Sequence, residues 1–143
     1  MKNQIIPPNR LHEIAVNIRD GKTCYIGIIT GKIEYLINDP SNDKEIQSNE
    51  KLMAEVNRRP DHYLKIGDLP TEAWIECMQG FITEVDDSSK AKELKNALKR
   101  ANPVRNFMTA IDSDMEYSAF WRTFSLKWRA DWIGEVIVVA HNH

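Results

Sequence analysis

A row of aromatic residues near the C-terminus most constrains how this chain folds. Between residues 113 and 134 the aromatic side chains recur at steps of four, three, four and four. They are Tyr117, Trp121, Phe124, Trp128 and Trp132. This spacing lines one face of an α-helix, and such large apolar side chains predict that this face anchors the core. Ser113 and Glu116 have the spacing of a capping box, and Gly134 predicts the end of the helix.

Five other stretches have apolar residues at helical spacing. Asn9 is the predicted cap of the first, which ends at Asp20-Gly21, and a second, weaker pattern covers residues 45–57. The third has Asp68 as a possible cap and Pro70 in its first turn, the fourth opens at 86–89, and the fifth begins at 102–103. We expect the largest side chains of these helices to form one buried cluster. Its members are Trp74, Phe81, Phe107, Trp121, Phe124 and Trp128.

Between the first two helical stretches the period changes to that of β-strands. Residues 23–29 and 32–37 are rich in β-branched and aromatic side chains and are separated by Thr30-Gly31, which predicts a β-hairpin. Residues 62–66 are the predicted third strand, because a lone hairpin is marginal in water. Residues 136–140 are predicted to be a last strand or an extension against the core. The element order indicates an α+β fold, with a small antiparallel sheet packed at one end of a helical bundle.

Length and composition favour one soluble domain over residues 1–143, with a hairpin region 9–66, a helical region 68–134 and a tail 135–143. The net charge is −2, so bulk charge does not predict a polyanion-binding protein. Cys24 and Cys77 are expected to be free thiols in a reducing compartment. The N-terminus has no apolar h-region and no run is long enough to span a membrane, so the expected location is the cytoplasm.

A basic run is the strongest candidate for a binding site. Residues 88–105 contain six basic residues and one acidic residue, a net charge of +5. The candidate ligands of a phosphate or nucleic acid are Lys92, Lys95, Lys99, Arg100 and Arg105. The more common explanation of such a run is a solvated helix face, and no groove-reading motif accompanies it.

Other candidates have simpler structural explanations. His141 and His143 would share one face of a strand and are possible metal ligands, but a frayed terminus also explains them. Asp86 and Asp87, with Glu84, are better explained as a cap between helices than as a catalytic acid pair. No phosphate loop, nucleophile elbow or zinc motif is present, and we predict no metal or other cofactor.

Several short motifs together resemble the uncharacterised bacterial family UPF0158. They lie at 25–37 around Gly31, 59–66, 81–85, 97–100, 104–107, and 120–124 with Trp132. The resemblance extends over residues 10 to about 133 and implies an α+β fold and a bacterial cytoplasmic setting. It implies no activity. The family pattern has a Gly-Arg-Gly-like turn before the segment 104–107, where this chain has Ala101-Asn102-Pro103-Val104.

Three functions remain open at this point. The first is a binding or regulatory module without catalysis, with a protein or nucleic acid as the possible partner and no membrane. The second is a weak binder of nucleic acid or another anionic ligand through residues 90–105. The third is an enzyme whose site is assembled from non-adjacent residues. We favour the first hypothesis, because the sequence has no local catalytic signature.

Overall fold

The computed structural model describes residues 6–141, and within that range it contains six α-helices and three β-strands. The elements in chain order are α1 (Pro8–Arg19), β1 (Lys22–Gly27), β2 (Ile33–Ile37), α2 (Asp43–Arg58), a 3-10 turn (Pro60–His62), β3 (Tyr63–Ile66), α3 (Thr71–Thr83), α4 (Ser88–Leu98), α5 (Pro103–Asp112) and α6 (Met115–His141). The predicted α+β class is confirmed. Residues 1–5, where a signal peptide would begin, lie outside the described residues, and so do His143 and the side chain of His141, the two possible metal ligands.

Residue contacts divide the chain into two compact units. The first, here called the sheet unit, consists of Met1–Asp68 and Ala130–His143. The second, the helical unit, consists of Leu69–Arg129. Helix α6 contributes residues to both units.

The sheet has the strand order β2-β1-β3, and both neighbouring pairs are antiparallel. The predicted third strand is therefore confirmed as β3. On one face of β1, Tyr25 packs with Leu52 and Val56 of α2. On the opposite face, Lys22 donates a hydrogen bond from Nζ to Oδ1 of Asn17 in α1, at 2.9 Å. Helices α1 and α2 thus cover opposite faces of the sheet, and β2 and β3 form its edges.

The hairpin turn explains why β1 ends before its predicted end. The N–H of Gly27 donates to the carbonyl of Lys32 at 2.8 Å, and the N–H of Gly31 donates to the carbonyl of Gly27 at 2.8 Å. Gly31 has a φ of 74°, in the left-handed region that glycine adopts without strain. The turn therefore closes at Gly27 and leaves Ile28 and Ile29 in the loop, where both side chains are exposed.

The helical unit is organised around Phe81 of α3. Phe81, Phe107 and Trp121 are buried, and the other three predicted members of the cluster are partly buried against them. The ring centroid of Phe81 lies 4.8 Å from that of Phe120, 5.3 Å from Trp121 and 5.5 Å from Phe124. Most of these ring pairs are edge-on or tilted, the arrangement that aromatic quadrupoles favour. The aromatic spacing in the sequence thus predicted the core of this unit.

Two predicted helix caps each lie two residues from the observed N-cap. Helix α1 begins at Pro8 with Pro7 in the N-cap position, so Asn9 lies inside the first turn instead of capping it. Helix α3 begins at Thr71 with Pro70 in the N-cap position, and Asp68 is not the cap. In both cases the fixed φ of proline suits the start of a helix, and proline gives up no hydrogen bond there.

The predicted capping box of the aromatic helix is also wrong. The carboxylate of Asp114 accepts from the backbone N–H of Glu116 at 2.9 Å. Ser113 instead donates its hydroxyl to the carbonyl of Ala110 at 2.8 Å. Ser113 has a helical backbone, with φ −74° and ψ −8°, because it ends α5. A residue in that conformation lacks the extended geometry of an N-cap, so the next residue caps α6.

The predicted helix end at Gly134 and the predicted strand at 136–140 are both wrong, because α6 continues to His141. Ile133 and Ile137 are buried and lie four residues apart, which places them on one helical face. A Cβ added at Gly134 would lie 3.1 Å from Cδ1 of Leu11. The glycine therefore permits a close approach of Leu11 and does not end the helix, and the β-branched residues after it remain helical.

Candidate functional site

The predicted basic site lies in the helical unit, on α4 and the start of α5. Asp87 caps α4 by accepting from the N–H groups of Ser89 and Lys90, as the sequence predicted. Leu94 and Ala97 are the buried residues of this helix. All five predicted ligands are exposed: Lys92, Lys95, Lys99, Arg100 and Arg105. Within residues 6–141 none of the five forms an ion pair, so their charges are available to an anion.

Lys90 belongs to the same basic run but has a structural role. Its side chain is only 11% exposed. Its Nζ donates to the carbonyl of Ala110 at 2.9 Å, lies 3.3 Å from Oε1 of Glu93, and lies 5.4 Å from the ring centre of Tyr117. Lys90 therefore joins α4 to α5 and to the first turn of α6, and it adds little to the exposed charge.

Helix dipoles explain some of the exposed cations and not others. Lys99 and Arg100 follow the last residue of α4, where the partial negative charge of a helix end favours cations. Arg105 lies in the first turn of α5, where the same effect disfavours a cation. Between the two helices, Asn102 has a φ of 58°, a left-handed conformation that asparagine tolerates better than most residues. Of these three cations, Arg105 is thus the one that the nearest helix end disfavours.

A concave surface that the sequence did not predict lies in the sheet unit. It has a volume of about 820 Å³ and two long walls, and Thr30 of the hairpin turn and Tyr63 of β3 complete its lining at one end. One wall consists of the consecutive residues Lys32, Ile33, Glu34 and Tyr35, which begin the edge strand β2. The other is one face of α2 and consists of Ser48, Lys51, Leu52, Ala54, Glu55 and Arg58. We call this surface the edge groove.

The register of the hairpin determines which backbone groups face the edge groove. At one end of the β1–β2 pair the N–H of Asn38 donates to the carbonyl of Gly21 at 3.0 Å. At the other end the N–H of Gly27 donates to the carbonyl of Lys32 at 2.8 Å. Backbone groups alternate in direction along an antiparallel strand. Glu34 and Leu36 therefore bond β1, whereas the N–H and C=O groups of Ile33, Tyr35 and Ile37 point away from the sheet.

The outward backbone groups of Ile37 are occupied by a side chain of α2. The N–H of Ile37 donates to Oδ1 of Asn49 at 2.9 Å, and Nδ2 of Asn49 donates to the carbonyl of Ile37 at 2.8 Å. This paired arrangement is the one that a neighbouring strand would supply. Among the described residues no hydrogen bond reaches the outward groups of Ile33 and Tyr35. The edge groove therefore has an open backbone wall that ends at Asn49.

The charged side chains of the edge groove are mostly paired with one another. Lys32 lies 3.6 Å from Glu34, and Arg58 forms an ion pair with Glu55 one turn earlier on α2. Lys51 forms no ion pair with any residue between 6 and 141. The groove therefore presents one unmatched positive charge in the middle of its helical wall.

Burial raises the pKa of the Tyr35 phenol from the ordinary value of 10.0 to about 12, and the Cys24 side chain and the Glu13 carboxylate act in the same direction. Tyr35 lies opposite Cys24 in the hairpin register. The side chain of Tyr35 therefore lies with that of Cys24 on the face of the sheet that α1 covers, whereas the backbone of Tyr35 lines the edge groove.

A smaller pocket of about 230 Å³ continues the edge groove at the hairpin turn. It shares Thr30, Glu55 and Tyr63 with the groove and is also lined by Ile29. The side chain of Ile29 is 76% exposed, which is unusual for isoleucine.

Both cysteines are free and buried, as predicted. Burial raises the pKa of the Cys24 thiol and of the Cys77 thiol to about 12 each. Each thiol is therefore protonated at neutral pH and is a poor nucleophile. Among the side chains that the structure describes, those of residues 6–140, no three from His, Cys, Asp or Glu are placed to hold a metal ion. No helix within residues 6–141 has the length and apolarity to cross a membrane.

Sequence reasoning missed the edge groove although it predicted both of its walls. Residues 32–37 were expected to form a strand and residues 45–57 a helix, and both elements exist. The missing information was the strand order, which makes β2 an edge, and the position of α2 beside that edge. A possible signal was Asn49, an amide at helical spacing from Leu52 and Val56, but asparagine on a helix has many explanations.

Comparison with known proteins identifies a family for this chain. The family model described as "Uncharacterised protein family (UPF0158)" matches residues 1–139. No curated protein and no solved structure matches the chain. The match includes the edge groove and the basic site, and it extends beyond the segment 10–133 in which the sequence motifs were recognised. This chain therefore belongs to UPF0158, an uncharacterised protein family.

Proposed function

We propose that this protein is a non-catalytic binding module and that its ligand is another polypeptide, held in the edge groove. The observation that carries the proposal is the open backbone wall formed by Ile33 and Tyr35 beside helix α2. Unpaired strand edges are template surfaces for other chains, and natural proteins usually cover or charge them. An edge that lies inside a groove of this volume is suited to binding a peptide segment.

The chemistry of the groove supports binding over catalysis. Its ion pairs, Lys32 with Glu34 and Arg58 with Glu55, join residues of the same wall. Catalysis by general acids and bases instead needs titratable groups that converge on one reacting atom. Both thiols are buried and protonated, so neither is an activated nucleophile.

We also propose a bacterial cytoplasmic setting. Buried free cysteines, one in each unit, are compatible with the reducing conditions of the cytoplasm. The bacterial origin is an expectation from the family resemblance. Fractionation of cells that produce the tagged protein at its natural level would test the location.

The groove can be tested with a library of displayed linear peptides selected on the intact protein. We expect selected peptides to lose binding to the variant Ala54→Trp, whose new side chain fills the groove. Gln47→Trp adds the same side chain to an exposed position of α2 that does not line the groove, and it should retain binding. Failure to select any peptide, or equal binding to both variants, would contradict the proposal.

A second candidate function is binding of nucleic acid through the basic site. The observation that favours it is the group of five exposed cations without ion pairs, of which Arg105 lies at a helix end that disfavours a cation. A local positive surface attracts phosphates even on a protein with net negative charge, because fields are screened within about 8–10 Å. Such binding would weaken steeply with salt as phosphate contacts release counterions.

Charge reversal tests this second candidate. In fluorescence anisotropy titrations with RNA and DNA at low salt, we expect Lys95→Glu/Lys99→Glu to abolish binding. The matched control is Lys44→Glu/Lys51→Glu, which makes the same change of charge on α2. Loss of binding in both double variants would indicate that binding depends on the total charge and not on the basic site. No binding by the wild-type protein at low salt would leave the basic site as a solvated surface.

A further inference from the structure

We infer that the edge groove binds an extended segment of a partner protein as a fourth strand, added to the outer edge of β2. This inference rests on the proposed function and specifies its mode of binding and its ligand. The order of the enlarged sheet would place the added strand next to β2, in the order added strand, β2, β1, β3. The added strand would lie between the backbone of β2 and the side chains of α2.

Asn49 shows that this edge has the geometry to bind an amide. The Asn49 side chain bonds both the N–H and the C=O of Ile37, at 2.9 and 2.8 Å. A peptide unit has the same donor and acceptor. Tyr35 and Ile33 precede Ile37 by two and four residues, and their N–H and C=O groups point in the same direction as those of Ile37. These groups have no hydrogen-bond partner among the described residues.

The position of Asn49 also limits the register of the added strand. Pairing with Ile33 and Tyr35 uses four backbone hydrogen bonds, one donor and one acceptor from each residue. Beyond Tyr35 the edge is occupied by Asn49, so the strand must end or turn away before Ile37. The partner segment is therefore short, and its bonding residues alternate with residues that do not bond β2.

The side chains of the groove indicate the composition of that segment. Leu52 is buried in the wall formed by α2, and Ile29 offers an exposed apolar surface at the turn. These contacts favour β-branched or aromatic side chains at alternate positions. Lys51 is the unmatched cation of the groove, so an acidic side chain of the partner would complete its charges. The expected ligand is thus an extended apolar segment with one acidic residue.

The inferred mode can be tested on the wild-type protein with a peptide selected from the library and its N-methylated derivatives. Each N-methyl group removes one backbone donor. We expect methylation at alternate residues to weaken binding about tenfold or more, and methylation at the intervening residues to have little effect. Binding should also slow amide hydrogen exchange at Ile33 and Tyr35, while Glu34 and Leu36 change little.

The contribution of Lys51 needs a separate variant with a matched control. For a peptide with an acidic residue, Lys51→Glu should weaken binding by about two- to fivefold or more, as expected for an exposed ion pair. Lys44→Glu makes the same change on α2 outside the groove and should have no such effect. Equal effects of the two reversals would contradict the acidic composition.

Three outcomes would overturn the inference. If Ala54→Trp blocks peptide binding but N-methylation shows no alternation, the groove binds a polypeptide in another way and the proposed function survives. If no peptide is selected, both fail. If Ile33 and Tyr35 become protected as the protein concentration rises, without peptide, and sedimentation shows a dimer, the occupant of the edge is a second copy of this chain.

Discussion

The two units of this protein use their residues in different ways. In the helical unit the aromatic side chains of three helices pack on one another around Phe81, and the exposed surface of α4 is cationic. In the sheet unit the buried cluster against α2 centres on Tyr25, Leu52 and Val56, and backbone groups of β2 face an open groove. The first unit is held by the packing of rings, whereas the second has backbone groups of β2 that form no hydrogen bond among the described residues.

The largest expected effect tests the aromatic core. Phe81→Ala removes a fully buried ring that contacts several others, so it should lower the free energy of unfolding by about 3–5 kcal/mol. Leu52→Ala in the sheet unit should cost less, about 2 kcal/mol, because it leaves a smaller cavity beside an open groove. Urea unfolding followed by circular dichroism would measure both. A greater cost for Leu52→Ala would contradict the comparison.

The next effect concerns the occupied end of the strand edge. Asn49→Ala removes two hydrogen bonds to Ile37 and should cost about 1–3 kcal/mol of stability. Gln47→Ala, at an exposed position of the same helix, should change stability by less than about 0.5 kcal/mol. Amide exchange at Ile37 should also become faster in the first variant. Unchanged exchange there would show that Asn49 does not protect this edge.

A smaller effect distinguishes the observed cap of α6 from the one predicted from sequence. Asp114→Ala removes the side chain that accepts from Glu116 N–H, so it should cost about 1 kcal/mol. Ser113→Ala should cost less, because the Ser113 hydroxyl only donates to a carbonyl at the end of α5. Thermal unfolding of the two variants provides the comparison, and the reverse order would restore the predicted capping box.

The prediction with the smallest effect at neutral pH concerns the two buried thiols, one in each unit. Burial raises the pKa of Cys24 and of Cys77 from the ordinary value of 9.0 to about 12. The unfolded chain therefore ionises first, and the stability from the protonated thiols is complete below about pH 9 and decreases as the pH rises toward 12. The melting temperature should fall over this range, and less so in the variant Cys24→Ala/Cys77→Ala. A parallel fall in both proteins would assign the effect to other groups.

The sequence predicted the features that depend on local spacing. The steps between Tyr117 and Trp128 predicted the packed face of α6, and Thr30-Gly31 predicted the hairpin turn. It failed where a distant contact decides the outcome. Gly134 faces Leu11, about 120 positions away in the chain, and this contact holds the glycine within a helix that continues to His141.

The basic site and the edge groove also differ in whether local spacing in the sequence predicts them. Exposure of the basic site could be predicted because the buried residues Leu94 and Ala97 define the inner face of α4. Lys90 was the exception, since its partners Ala110 and Tyr117 belong to other helices. The edge groove depends on strand order and on the place of α2 beside β2, and neither property is encoded in the spacing of residues along one segment.

The central claim, that β2 has an open edge ending at Asn49, can be tested most directly by amide hydrogen exchange of the free protein, measured by NMR. The claim predicts an alternating pattern. The amides of Ile33 and Tyr35 should exchange rapidly, whereas those of Glu34 and Leu36, bonded to β1, and of Ile37, bonded to Asn49, should be protected. Strong protection at Ile33 and Tyr35 in the free monomer would contradict the claim, because it would mean that the edge is already covered.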